Sequence, residues 1–238
     1  MTWWMWAIIA YFCGSVPFGL LIGFTKGIDL REYGSGNLGA TNAVRVLGKK
    51  LGVLCFLLDV AKGFVPVFVG GWVLGYIGRT ELTSTEAWQW LVICVCAVMG
   101  HVFPMWLKFK GGKGVATGLG TMLGIWPLLT VAALVTFVTW VVVLKLSRFV
   151  SLASMIGAVM LPVYVVIGAL MRGQKVEAIM PFIIVTALLA VLVVFRHRSN
   201  IARLIAGKED RAGEWKNEAP PPTPKAPESS APEIVEKQ

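Results

Sequence analysis

Seven apolar runs, at residues 3–23, 52–77, 88–107, 114–126, 129–146, 150–171 and 178–195, set the limits on what this chain can become. Most are close to the roughly 20 residues that cross the hydrocarbon core of a bilayer. In lipid every backbone N–H and C=O needs an internal partner, so only helices and closed barrels span it. The runs lack the two-residue alternation of a membrane barrel strand. The expected fold is an all-α polytopic membrane protein with seven transmembrane helices, the fourth short enough to be tilted or half-buried. A composition of 56% hydrophobic and 15% charged residues excludes an ordinary soluble domain.

Charge gives the orientation. All but four of the 22 lysines and arginines fall in alternate loops or in the C-terminal region. Arg79, Arg172 and Lys175 lie on the opposite face, and Lys62 lies inside a run. Positive charge marks the cytoplasmic side, so the N-terminus is expected outside and the C-terminus cytoplasmic, in a bacterial inner membrane. The net charge of +9 reflects basic loops facing anionic lipid and gives no reason to expect nucleic acid. The first run has no basic flank and no cleavage site after it, so it reads as a span rather than a signal peptide. Asp59 and Lys62, one helical turn apart, are expected to neutralise each other. Cys13, Cys55, Cys94 and Cys96 sit in apolar segments with no C-x-x-C spacing and read as buried thiols. The domain division is 1–211 for the membrane unit and 212–238 for a proline-rich tail expected to be disordered.

Polar residues gather in three clusters, all on the basic side. The first is Tyr33-Gly-Ser-Gly-Asn-Leu-Gly-Ala-Thr-Asn42, with Arg45 three residues on. Ser35, Gly36, Asn37, Gly39, Ala40, Thr41 and Asn42 combine small donors with a backbone free to curl, the makings of an anion nest. The second is Lys108-Phe-Lys-Gly-Gly-Lys-Gly114, which opens the fourth run. Lys108, Lys110 and Lys113, with Gly111, Gly112 and Gly114, would place cations and free N–H groups at a helix N-terminus. The same stretch also fits close helix packing, through Gly114…Gly118 and Gly120…Gly124. It is not a P-loop, because Gly114 stands where that motif has Ser or Thr. His101, upstream, reads equally as a packing histidine and as a catalytic one. The third cluster is Arg196-His-Arg-Ser-Asn-Ile-Ala-Arg-Leu-Ile-Ala-Gly-Lys-Glu209, where His197, Asn200 and Arg203 or Leu204 lie near one helical face. A basic amphipathic helix on lipid accounts for part of it.

Acids are nearly absent from these clusters, so the ligand should be an anion carrying more than one phosphate. With two histidines in the chain and few carboxylates in reach, no metal site is expected.

Taken together, Ser35-Gly-Asn-Leu-Gly-Ala-Thr-Asn42 with Arg45, Gly100-His-Val-Phe-Pro104 with Lys108 to Thr117, and Arg196 to Leu204 resemble the motifs of the bacterial PlsY family. These are membrane glycerol-3-phosphate acyltransferases that use acyl phosphate. The resemblance covers residues of about 10–209, in order. It implies a seven-helix inner-membrane enzyme transferring an acyl group to the sn-1 hydroxyl of glycerol 3-phosphate, with no cofactor. It also implies that the first motif holds the acyl-phosphate phosphate, and that Arg45, the second-motif lysines, His197 and Asn200 hold glycerol 3-phosphate. A serine after the fifth run, Ser151 or Ser154, would assist. The enzyme that makes acyl phosphate is the partner such a protein would couple to.

The residues fit that chemistry. No His-x₄-Asp signature is present: five residues after His101 stands Trp106, and after His197 stands Ala202. A thioester donor would need a strong general base of that kind. Acyl phosphate is a mixed anhydride with an anionic leaving group, and it needs mainly positioning and charge stabilisation. The competing reading is an organic-phosphate transporter using the basic loops as a vestibule. It calls for polar residues deep in the spans and a matching site on the far face, whereas the outer loops are short and plain.

Overall fold

The computed structural model describes residues 2–214, and among them every regular element is helical. Six stretches are long and apolar enough to cross a membrane: Trp3–Phe24, Lys49–Val73, Ser84–Leu107, Thr130–Ser147, Val150–Met171 and Val176–Arg196. The proline-rich segment from Trp215 onward lies outside the described residues. Ala212 and Glu214, assigned by sequence to that tail, instead contact Arg148, through a backbone hydrogen bond and an ion pair.

Pro17 interrupts the first crossing. Proline has no N–H and drives the preceding residue away from helical geometry. Helix α1 (Trp3–Gly14) therefore ends, and α2 (Phe18–Phe24) starts afresh. The Val16 carbonyl has lost its helical partner, and Lys62 Nζ donates to it at 2.7 Å. The same ammonium lies 2.7 Å from Asp59 Oδ1 and 5.7 Å from the Phe18 ring centroid. His101 Nδ1 stands 3.8 Å from that carboxylate. The Asp59–Lys62 pair thus bridges α4 (Lys49–Val73) to the break in the first crossing.

Residues 25–39 form a loop leading into α3 (Ala40–Leu47), which turns into α4 at Gly48. Leu20, Leu30, Leu38, Ala43 and Cys55 form a buried apolar patch of their own that holds this loop against α4. A larger core joins α1, α4 and α5 (Ser84–Val102), with Trp90 fully buried and its indole N–H donating to the Val67 carbonyl at 3.0 Å. The four cysteines are free thiols, Cys55 and Cys94 buried and Cys13 and Cys96 half-buried.

The fourth apolar run forms α6 (Val115–Gly124), ten residues long. At 1.5 Å per residue it covers about 15 Å, half the thickness of a bilayer core. Its glycines press it onto α4. A Cβ on Gly120 would stand 2.0 Å from the Val60 carbonyl oxygen, and one on Gly63 would stand 2.3 Å from that of Thr117. Gly118 faces open space. Gly120→Ala should therefore lower stability by about 1–3 kcal/mol, the range for overpacking. Gly118→Ala should leave the thermal unfolding midpoint in detergent unchanged or slightly raised. Equal midpoints for the two variants would contradict the close α4–α6 approach.

Helices α7 (Thr130–Ser147) and α8 (Val150–Met171) form a hairpin turning at Arg148, whose φ is 64°. Helix α9 (Val176–Arg196) packs on α8 and hands over at His197 to the short α10 (Arg198–Ile205).

Candidate active site

A cavity of about 220 Å³ opens at the end of the molecule where the three polar clusters meet. Its floor is a groove between α6, α7, α8 and α9, lined by Met122, Phe137, Trp140, Leu161 and Val193 among others. Along α8 the lining runs from Ser151 to Leu161, a depth of about 15 Å. A polar mouth over a deep apolar slot suits an amphiphile with a charged head.

The first cluster is shaped by Asn42. This residue is 2% exposed. Its Oδ1 accepts the Ser35 N–H at 2.9 Å, and its Nδ2 donates to the Leu30 and Tyr33 carbonyls at 3.1 Å each. Asn37 Oδ1 accepts the Gly39 N–H at 2.9 Å. Both amides tie the loop to itself, and Asn37 and Asn42 line the cavity together with Ser35, Gly39, Ala40 and Thr41. Gly39, as N-cap of α3, has no side chain to cap the first turn, which leaves the Ala40 and Thr41 N–H groups without an intrahelical acceptor, while the Asn42 N–H donates to the Gly39 carbonyl at 3.1 Å. Gly36 lies outside the lining.

The second cluster divides in two. Lys113 and Gly114 line the cavity, and so do Val115 and Ala116 in the first turn of α6. Gly114 starts that turn with φ of 85°, a conformation that favours glycine. Gly111 and Gly112 serve the loop instead. Their carbonyls accept from Arg196 Nη2 at 3.0 and 3.1 Å, and a Cβ on Gly112 would stand 2.1 Å from His101 Nε2. Lys108 and Lys110 are exposed and are not among the residues lining the cavity. Of the packing pairs, Gly120 and Gly124 meet α4 while Gly118 faces open space; Gly114 opens the turn at the cavity.

The third cluster supplies His197 and Asn200, 3% and 6% exposed, and Arg203. His197 Nδ1 lies 2.8 Å from the Val193 carbonyl. A carbonyl only accepts, so Nδ1 carries the proton and Nε2 is left as an acceptor. Burial, reinforced by the Lys113 charge, pushes the imidazole down to about 4, so it is neutral at physiological pH. Lys113 donates to Asn200 Oδ1. Burial lowers the Lys113 ammonium to about 8; Glu209 opposes that shift, while Arg203, Arg196 and Arg45 add to it. Between the two serines, Ser151 faces the polar mouth. Ser154, one turn deeper, donates to the Val150 carbonyl and accepts from Trp140 Nε1 at 3.2 Å. His101 reaches the cavity wall, backed by Asp59.

Acids are not absent from the site, contrary to expectation. Glu209 Oε1 accepts from Ser151 Oγ and Asn200 Nδ2, each at 2.6 Å, and Oε2 accepts from Arg203 Nε at 2.7 Å. Burial raises its carboxyl, but these three donors outweigh burial and hold it below its ordinary value. Asp210 Oδ2 pairs with Arg45 Nη2 at 2.7 Å. The available sequence signal was Gly207 just past α10, a residue that turns the chain back with φ of 65°.

Two helix N-termini, α3 and α6, thus face one cavity together with Arg45, Lys113 and Arg203. Free N–H groups, the positive ends of two helix dipoles and three cations all favour negative charge there. Fold and site define an integral membrane protein with cations and helix N-termini at the polar end of an apolar groove. Known proteins agree with that description. The sequence profile of the family described as Glycerol-3-phosphate acyltransferase matches residues 4–207. Glycerol-3-phosphate acyltransferase 2 of Thermotoga maritima is 41% identical over 218 residues, covering 91% of this chain and all of that protein. The glycerol-3-phosphate acyltransferase of Thermosynechococcus vestitus is 42% identical over 208 residues, 87% of this chain and 93% of the relative. Among solved structures, the glycerol 3-phosphate form of PlsY (YgiH), an integral membrane glycerol 3-phosphate acyltransferase, superposes with a TM-score of 0.73. It is 37% identical and covers 89% of this chain and 96% of its own. Its lysophosphatidic acid form gives 0.72 at 35% identity, over 88% and 94%. The chain belongs to the glycerol-3-phosphate acyltransferase family and is an acyltransferase.

Proposed function

We propose that this enzyme moves a fatty acyl group from acyl phosphate to the sn-1 hydroxyl of glycerol 3-phosphate, giving lysophosphatidic acid and inorganic phosphate. The observation that carries the reading is the convergence of two helix N-termini and three cations on the polar end of one apolar groove. The relative solved in glycerol 3-phosphate and lysophosphatidic acid forms supports the acceptor and the product.

The roles divide by position. The loop of Ser35, Gly39, Ala40 and Thr41, with the α3 N-terminus behind it, holds the phosphate of the donor, whose chain lies in the groove. Lys113, Arg45, Asn200 and Arg203 hold the phosphate of the acceptor. His197 Nε2 accepts the hydrogen bond of the sn-1 hydroxyl and aims its oxygen at the carbonyl carbon. The new C–O bond forms as the bond to phosphate breaks, and the leaving phosphate takes the proton. A histidine lowered to about 4 is a weak base but a good acceptor, so its task is orientation. Misplacing a reacting atom by about 1 Å costs on the order of 10²-fold. His197→Ala should accordingly lower kcat by about that factor in protein that purifies normally, and undiminished turnover at saturating substrate would remove His197 from the mechanism.

The donor is tested by offering the purified enzyme palmitoyl phosphate and palmitoyl-CoA separately with glycerol 3-phosphate. Turnover with the phosphate alone is expected. Equal turnover with the thioester would contradict the assignment.

The reading also places the polar end in the cytoplasm of a bacterial inner membrane, with the N-terminus outside and the C-terminus inside. The short α6 then completes a seventh crossing. In support, the Trp126 carbonyl just beyond it accepts the Gly78 N–H at 3.1 Å, in the connection that follows α4. A cysteine placed at Thr80 should react with a membrane-impermeant maleimide in spheroplasts, and one at Lys208 should not; the reverse pattern would invert the topology.

A further inference from the structure

Beyond α10 the chain doubles back as a strap across the mouth of the cavity. Gly207 makes the turn, and the Lys208 N–H donates to the Arg203 carbonyl at 2.7 Å. At its far end the Ala212 N–H donates to the Arg148 carbonyl at 2.7 Å, and Glu214 pairs with Arg148 at 2.9 Å, on the α7–α8 corner. Between these ties Glu209 and Asp210 both line the cavity.

The two acids are held very differently. The Glu209 side chain is 9% exposed and accepts from three partners. The Asp210 side chain is 53% exposed and makes a single ion pair, with Arg45. Arg45 is the more buried partner, its side chain 18% exposed. Its Nε is buried and has no acceptor among the described residues. A guanidinium offers a fork of donors suited to bidentate binding, and Asp210 engages only Nη2. The contact neutralises a half-buried cation and leaves half of the fork unused. A phosphate, with three oxygens and a charge near −2 at neutral pH, can take both Nε and Nη2.

The geometry points to Asp210 as a specificity-determining residue: its carboxylate holds Arg45 as a weak counter-ion that a phosphate dianion displaces and a carboxylate monoanion does not. This rests on the assignment of Arg45 to the acceptor phosphate made above. The displacement carries two consequences. Arg45 is not left as a bare cation open to any small anion. The strap also loses one tie when the acceptor binds, while Glu209 keeps its own.

The test compares wild type with Asp210→Asn and Asp210→Glu, using glycerol 3-phosphate as acceptor and inorganic phosphate and glycerate as competing probes. Removing the competing carboxylate should lower the KM for glycerol 3-phosphate by about two- to fivefold, the scale of a half-exposed ion pair. The kcat should stay within about twofold of wild type. Glycerate should become a measurable competitor of Asp210→Asn, inorganic phosphate a tighter one, and Asp210→Glu should restore wild-type values for both. A merely structural role for Asp210 would change kcat or yield without this split. An unchanged or raised KM in Asp210→Asn, with wild type active, overturns the proposal alone. A wild-type protein that binds no glycerol 3-phosphate by calorimetry overturns the underlying assignment and this proposal with it.

Discussion

Lys113→Gln should lower kcat/KM for glycerol 3-phosphate by about 10²- to 10³-fold, the cost of removing one preorganised donor from a water-poor catalytic site. Lys113 lies in the wall of the cavity between the α6 N-terminus and Asn200, and its ammonium donates to Asn200 Oδ1. Glutamine keeps much of the length and some donor capacity but loses the charge, so the change isolates electrostatics. The pH profile tests the same group independently. Burial brings the Lys113 ammonium down to about 8. The cation is therefore present below that pH and is lost as pH rises through it. Activity should hold between about pH 6 and 7.5 and decline above about 8, ahead of an ordinary lysine near 10.4. Lys113→Arg should move that basic limb upward, whatever its effect on rate. Near-normal kcat/KM in Lys113→Gln would take this residue out of the site.

Lys62→Met should be the most damaging single change away from the cavity mouth. Removing one member of a buried ion pair leaves its partner charged and alone, at a cost of about 3–5 kcal/mol. Lys62 and Asp59 have side chains only 5% and 3% exposed. Lys62 also donates to the Val16 carbonyl beside Pro17, which would then keep only the Phe18 N–H at 3.1 Å. The double change Asp59→Leu with Lys62→Met removes both charges and leaves chiefly the lost ammonium–carbonyl bond to Val16, about 1–3 kcal/mol. Unfolding in detergent should show the double variant more stable than Lys62→Met alone. If the single variant proved the more stable, the pair would not be the bridge between α4 and the broken first crossing.

What could be foreseen from sequence follows from the physics of each feature. Apolar runs must be helices in lipid, so the long helices fall close to where hydropathy puts them. Three clusters on the basic side could be placed at one end of the molecule, and the cavity joins them. Direction was harder to foresee. Lys108 and Lys110 share a motif with Lys113, yet they lie exposed in the turn where Lys108 and Phe109 take φ of 51° and 61°, and only Lys113 lines the cavity. Ser151 and Ser154 are three residues apart on one helix and both line the cavity, and their different partners, Glu209 and Trp140, follow from neighbours that spacing does not reveal. Asn42 has the chemistry of a ligand contact and is engaged by its own loop. Glu209 closes the third cluster in sequence, but its role, like that of Asp210, depends on the chain folding back after Gly207, a tertiary event that no periodicity encodes. The break at Pro17 was legible in principle, since a residue preceding proline is biased out of the helix.

The most direct measurement is phosphate release by the detergent-purified protein given palmitoyl phosphate and glycerol 3-phosphate, with neither coenzyme A nor acyl carrier protein present. Inorganic phosphate and lysophosphatidic acid should appear together, one for one, and both should stop when glycerol 3-phosphate is withheld. Folded protein that yields neither product, or that releases phosphate without forming lysophosphatidic acid, would contradict the account.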